Sequence, residues 1–401
     1  MIPTRAALGT AAAVLVLSGC GVAAAVTTRT TTVSDVMPAK DAAASLPLRS
    51  LPRPAVLPLK VTPPASIPPA DVVTVLTSGH TEWLEILSHT GAVVAKAAVD
   101  PTNVWMVAAG PGGAYWTQNG AEYQLSATGA VRKLGAVPGD ANAVVIAPDG
   151  TTYAYATSDT AQSGDVTNRI VVVRQGAPTV TIADRIDDPN RPSADAPQSW
   201  DYYLISWTST GIAFARVQTG GCGCGSFDMQ MQSAYSASIN PVTEVVTPLT
   251  ADWSCPLSAV GPGMETACFA SDSSDSTTTG LRVTSGGVTR YNFSMSGTNV
   301  AGDAVFSPMG TSLAYITIPA AQDSCGVTWT ATLRVLDLAT GHAVSRTFGE
   351  LTPAVWGADG IIYGSVMNAA GDSALVTVNP ATLALTQLTP SATNEQFVGI
   401  M

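Results

Sequence analysis

The stretch Ala143-Val-Val-Ile-Ala-Pro-Asp-Gly150-Thr-Thr-Tyr-Ala-Tyr155 decides the fold, because it returns later as Ala304-Val-Phe-Ser-Pro-Met-Gly310-Thr-Ser-Leu-Ala-Tyr315. Each copy has an apolar strand, a tight turn closed by glycine, and a second apolar strand. The turn has a mechanism: proline presets φ, and glycine tolerates the positive φ that follows. Weaker copies are Ser206-Trp-Thr-Ser-Thr-Gly211-Ile-Ala-Phe214 and Val355-Trp-Gly-Ala-Asp-Gly360-Ile-Ile-Tyr363. A second kind of hairpin follows each unit, clearest in Leu333-Arg-Val-Leu-Asp-Leu-Ala-Thr-Gly341-His-Ala-Val344. Related stretches occupy 84–94, 123–131, 170–180, 234–245, 281–288 and 375–385. Four short strands in a repeat of about 45 residues is the signature of a β-propeller blade.

The expected fold is therefore all-β, a single propeller over residues 71–401 with seven four-stranded blades. Divided by seven, that span gives about 47 residues per blade, a comfortable length. Six or eight blades remain open, since Pro262 and Gly263 make the fifth unit irregular. The first repeat begins at Val72 without an innermost strand, and the chain stops on Gln396-Phe-Val-Gly-Ile-Met401. The tail is predicted to supply the missing strand and so remove the open edges of the array.

The Pro-Asp-Gly and Pro-Met-Gly units resemble the repeats of the TolB-like, WD40-like propellers of bacterial envelopes. The Leu-Asp-Leu-Ala-Thr-Gly hairpin also resembles repeats of the YVTN and quinoprotein propellers. The similarity covers most of 71–401 and implies architecture only, because this fold hosts scaffolds, lyases, hydrolases and redox enzymes alike.

Upstream of the repeats, Leu17-Ser18-Gly19-Cys20 ends an apolar run that follows Arg5. It reads as a lipobox: residues 1–19 form a lipoprotein signal peptide, and Cys20 becomes the lipid-bearing (palmitate-carrying) N-terminus. The apolar run is shorter than the ~20 residues a spanning helix needs, and no later segment reaches that length. Residues 20–70 read as a linker: a Thr-rich run at 27–32, then prolines from Pro38 to Pro69 at a density that blocks helix and sheet and favours an extended spacer. The expected location is the extracytoplasmic face of a bacterial cell membrane, anchored by lipid.

Charge excludes one class of partner. The chain has 18 basic and 29 acidic residues, a net of −11. Six of the basic and two of the acidic residues lie at or before Lys60, which leaves 12 basic and 27 acidic in the body. An acidic body disfavours nucleic acid, whose phosphates need Lys and Arg.

Little in the sequence carries chemistry. His80, His89 and His342 read as exposed turn residues, and no Gly-x-Ser-x-Gly elbow precedes a helix-forming segment. The eight tryptophans occupy no common repeat position, and Cys222 and Cys224 are separated by a glycine, unlike the adjacent cysteines of the quinoprotein family. No catalytic residue, cofactor or metal site is expected. A copper(I) site at Cys222, Cys224, Met229 and Met231 competes poorly with disulfide chemistry in an exported protein. Asp272 and Asp275 lack the spacing of a calcium loop. Once Cys20 is lipidated, Cys222, Cys224, Cys255, Cys268 and Cys325 remain as candidate disulfide cysteines. Cys255 pairs either with Cys222 or Cys224, or with Cys268 across one hairpin; spacing does not choose.

Connection lengths are asymmetric. Long ones fall at 158–168, 184–202, 218–227, 271–279 and 319–328, and on the expected strand order all leave one face. Trp200-Asp201-Tyr202 and Asp252-Trp253 pair aromatic with acidic residues beside two of them. Exposed loop aromatics are enriched at interfaces, so this face is expected to bind an envelope protein or a cell-wall ligand. The chain thus reads as a binding or scaffold module, with an envelope hydrolase or lyase working at the central channel as the alternative.

Overall fold

The computed structural model describes residues 71–401 apart from 79–80, 101–103, 161–165, 184–199, 219–232, 251–254, 256, 272–276, 296–298, 320–329, 349, 368–372 and 391–394. The expected signal peptide and linker, 1–70, lie outside the described residues. Seven sheets of four antiparallel strands form a ring, with no helix among the described residues. Blade 1 takes residues 72–99 together with 395–400; blades 2 to 7 span 104–136, 141–183, 200–250, 257–294, 299–347 and 350–387. Blade 5 is complete, with Pro262 and Gly263 in the turn between Leu257–Val260 and Thr266–Ser271.

The ring closes as expected. Glu395–Ile400 pairs antiparallel with Val72–Ser78, matching Val72 to Ile400 and Leu76 to Glu395. It takes the innermost position of blade 1, and Met401 N–H donates to the carbonyl of Asp71 at 3.0 Å.

Turn residues explain why the repeated units fold where they do. In blade 3, Gly150 has φ +65°, and the Asp149 carboxylate accepts the N–H groups of Thr151 and Thr152, both at 2.7 Å. In blade 6, Met309 replaces the aspartate and offers no acceptor. Ser307 takes over there, its hydroxyl accepting from Thr311 at 3.2 Å and Ser312 at 3.0 Å. Both are local side-chain to backbone bonds that compete well at turns.

Strand alternation sends side chains to both faces of every blade, and neighbouring blades bury them. Apolar clusters fill six of the seven junctions among the described residues. Leu84, Ile86 and Trp116 join blades 1 and 2; Tyr115 and Tyr153 join blades 2 and 3. Ile170 and Phe214 lie between blades 3 and 4, Phe269 and Tyr315 between 5 and 6, Ile316 and Val376 between 6 and 7. Tyr363 and Phe397 close the last junction. Between blades 4 and 5 the chemistry differs. Ile212 and Phe214 face blade 3, so Ala213 and Ala215 face blade 5; Ala267 and Phe269 face blade 6, so Thr266 and Cys268 face blade 4. Among the described residues this junction is largely small and polar, with Leu257 beside Cys268 as its larger apolar group.

The second junction also holds a buried carboxyl. Glu122 is 2% exposed and accepts a hydrogen bond from the Thr117 hydroxyl at 2.6 Å. Burial pushes its pKa up to about 8 against the lowering effect of that bond, so at neutral pH it is mostly uncharged.

The perimeter is defended against edge pairing. Five of the twelve basic residues of the body sit on outermost strands: Lys96, Arg132, Lys133, Arg290 and Arg346. The outermost strand of blade 4 carries Pro248 instead, and those of blades 3 and 7 are only four and three residues long. Charge, proline and shortness are each recognised ways to blunt an exposed strand edge.

Candidate functional site

Strand order divides the connections between two faces of the ring. Turns joining first to second and third to fourth strands leave one face, which we term the short-turn face. Turns joining second to third strands, and one blade to the next, leave the other. All five long connections belong to the second kind, since their flanking strands are second and third strands or successive blades. The chain enters at Asp71 and ends at Met401 on the short-turn face, opposite them.

Around the central axis the innermost strands share a feature that the sequence did not reveal. In all seven blades the pairing of the innermost strand with the second slips once. The slips pass over Val398, Trp105, Asn142, Ile205 and Ser258 in blades 1 to 5, Asp303 and Ala304 in blade 6, and Pro353 and Ala354 in blade 7. Such bulges bend a strand and re-aim its side chains, and they concentrate at rims and active sites. Only alanine recurs at these positions, in blades 6 and 7, so no residue type common to the blades marks them.

Five polar groups stand out on these strands. Asp303 adopts φ +49°, a left-handed conformation uncommon for a residue with a side chain. Ser258 accepts the N–H of Ala304 at 3.4 Å, joining the innermost strands of blades 5 and 6. Tyr203, in the innermost strand of blade 4, is 41% exposed. The Ser206 hydroxyl and the Trp356 indole N–H are buried without a hydrogen-bond partner among the described residues. Both belong to innermost strands.

The expected partner-binding residues fare differently. Trp200 and Asp201 open the strand Trp200–Trp207, directly after the connection 184–199, and their side chains lie outside the described residues. Asp252 and Trp253 also lie outside them. Tyr202 is 3% exposed, and its ring packs 5.2 Å from that of Phe214. Alternation puts residues 202 and 204 on the side turned to blade 3, so Tyr202 is a core residue and Tyr203 the accessible tyrosine.

Of the three pairings left open for Cys255, the structure has Cys255–Cys268, with Cα atoms 5.1 Å apart. Leu257 stands opposite Cys268 across the first two strands of blade 5, which brings the preceding turn within reach. Cys222, Cys224 and Cys325 lie outside the described residues. His89 and His342 occupy exposed turns between third and fourth strands, as expected. His80 lies outside the described residues.

These features define a seven-bladed propeller. No family model matches the chain, and no curated protein matches it. Solved structures do. An oligogalacturonate lyase from Vibrio parahaemolyticus is 11% identical over 80% of this chain and 85% of its own, with a TM-score of 0.50. TolB from Acinetobacter baumannii is 11% identical over 82% of this chain and 67% of its own, at 0.43. A periplasmic gluconolactonase of Pseudomonas aeruginosa is 10% identical over 83% and 99%, at 0.47. The neighbours thus include TolB-like propellers and propeller enzymes, and the likeness is one of fold.

Proposed function

We propose that this protein is a lipid-anchored propeller on the extracytoplasmic face of a bacterial cell membrane, serving as a binding or scaffold module. The observation that carries the reading is the opposition of the two faces. The chain enters the ring on the short-turn face, and the long connections leave the other. A lipid on Cys20 would tether the chain where it enters the ring, on the face opposite the long connections, which are left for an envelope protein or a cell-wall ligand. On this reading Trp200, Asp201, Asp252 and Trp253 are the residues that would contact it.

Two experiments test the two halves. Cys20→Ala should abolish incorporation of labelled palmitate and release the protein from membranes; continued membrane retention would count against the anchor. Cross-linking of the tagged protein in its native envelope, followed by mass spectrometry, should recover a partner. Replacing Trp200 and Trp253 together should lose it.

The alternative is an enzyme working at the central channel. The seven slips, the left-handed Asp303 and the unpartnered polar atoms of Ser206 and Trp356 favour it, since strain and unsatisfied groups gather at functional sites. Tyr203→Phe with Asp303→Asn separates the readings: a scaffold keeps its partner through both changes, whereas an enzyme loses turnover.

A further inference from the structure

We propose that a hollow between blades 2 and 3 is a receptor for a carboxylate, and that Arg132 is the group that takes it. The hollow has a volume of about 420 Å³, within the range of small-molecule sites. Pro111, Gly112, Gln124 and Arg132 of blade 2 line it, with Asp149 and Gly150 of blade 3. It opens on the short-turn face, so it lies apart from the partner surface proposed above and does not depend on it.

The argument begins with Gln124, a polar side chain only 4% exposed. Its amide nitrogen donates its two hydrogens to the carbonyl of Gly112 at 3.0 Å and to the Tyr115 hydroxyl at 2.9 Å, with the carbonyl of Gly150 further off at 3.4 Å. Those partners fix the amide's orientation and leave Oε1 as an acceptor for Arg132 Nε, at 2.5 Å. The Tyr115 hydroxyl donates to the carbonyl of Pro111. Burial pushes its pKa up to about 12, so it stays a donor at neutral pH. One further bond, from Arg132 Nη2 to the Gly150 carbonyl at 3.5 Å, crosses to blade 3.

Every acceptor that holds the guanidinium is neutral. Asp149, the acid in the same hollow, is engaged by its own turn: Thr151 and Thr152 N–H reach Oδ1, and the Thr152 hydroxyl reaches Oδ2 at 2.7 Å. Among the described residues no carboxylate pairs with Arg132, although the chain carries a net charge of −11. Buried Gln124 and Tyr115 therefore hold the exposed Arg132 side chain at the wall of the hollow, with no carboxylate partner among the described residues. Its free N–H groups suit two-pronged recognition of a carboxylate. The Ser126 and Thr151 hydroxyls, bonded to Thr128 and Asp149 respectively, make the rest of the lining polar, and the charge on Asp149 disfavours a dianion such as a phosphate monoester. Gln124 is a positioning residue that acts through Arg132.

Two sources share this chemistry, a sugar acid and a peptide C-terminus. Isothermal titration of the full chain with glucuronate and with N-acetyl-alanyl-alanine distinguishes them, with glucose and the dipeptide amide as neutral controls. One acid should bind while its neutral control does not. Arg132→Gln should weaken binding at least about tenfold, and Arg132→Lys should also weaken it, because an ammonium lacks the planar fork. Gln124→Leu should weaken it with the guanidinium still present. Should the Arg132 variants fail to fold, competition on the unaltered chain decides: acetate should displace the ligand, and chloride at equal ionic strength should not. Equal binding of acid and neutral control, undiminished binding by Arg132→Gln, or no binding of either acid at about 10 mM would overturn the proposal, leaving the network as a clasp between two blades.

Discussion

Gly150 occupies a backbone conformation that a side chain would strain, and space closes around it as well. A Cβ there would lie 2.2 Å from the carbonyl oxygen of Pro111 in the neighbouring blade. Gly150→Ala should therefore cost about 1–3 kcal/mol, read as a lower midpoint in denaturant unfolding. Glu122 makes the opposite kind of prediction. Its folded pKa stands above the unfolded one, so the native state holds an extra proton between about pH 4.5 and pH 8. Stability is then greatest below that window and falls as pH rises through it. Glu122→Gln should flatten the profile and leave the variant more stable than the parent at about pH 8.5, by roughly 1–3 kcal/mol. Denaturant unfolding at both ends of the window checks it; a parallel decline in parent and variant would sink the idea. Residue-level legibility was uneven. Pro148, Asp149 and Gly150 carry their conformation in their own chemistry and could be read directly. Tyr202 could not, because one step in strand register separates a core tyrosine from an exposed one, and only packing against Phe214 fixes that step.

Hairpins were the most legible elements, since a turn and the alternating strands beside it are local. The slips in the innermost strands were not legible. They are common to all blades yet share no residue, as expected of a feature imposed by packing around one axis rather than by side-chain preference. Blade 5 shows a different limit. Spacing left three partners for Cys255, and the fold selects Cys268 by pairing Leu257, two residues on, with Cys268 across one sheet. Because this bond lies where the junction with blade 4 is largely small and polar, its removal should be felt. Replacing Cys255 and Cys268 together by alanine should lower stability by about 2–4 kcal/mol. Hydrogen exchange should rise first in the strands Leu257–Val260 and Thr266–Ser271. Uniform loss of protection around the ring would contradict that local role.

At the scale of the molecule, closure is the property most exposed to test. Deleting 395–401 removes the innermost strand of blade 1 and bares the ladder of Val72–Ser78. The truncated chain should aggregate, and any soluble fraction should unfold over a broader range than the parent; a sharp, unaltered transition would show that the closing strand is dispensable. Loss of the envelope partner on changing Trp200 and Trp253, with the unfolding midpoint unmoved, remains the expected signature of the long-connection face. The seven-bladed plan and its closure were legible because repeats report architecture many times over. The proposed binding face has no such repetition behind it, because aromatic and acidic residues in connections have no periodicity to anchor them.

The pairing of the two chain ends also decides how the ring bears load. A pull transmitted through residue 70 meets Asp71 and runs along the strand Val72–Ser78, whose ladders to Thr81–Leu87 and Glu395–Ile400 lie perpendicular to it. Force in that direction shears all the hydrogen bonds of both ladders at once instead of peeling them one by one. A leash fastened there hauls on the seam that locks the ring, in the direction along which the seam resists most.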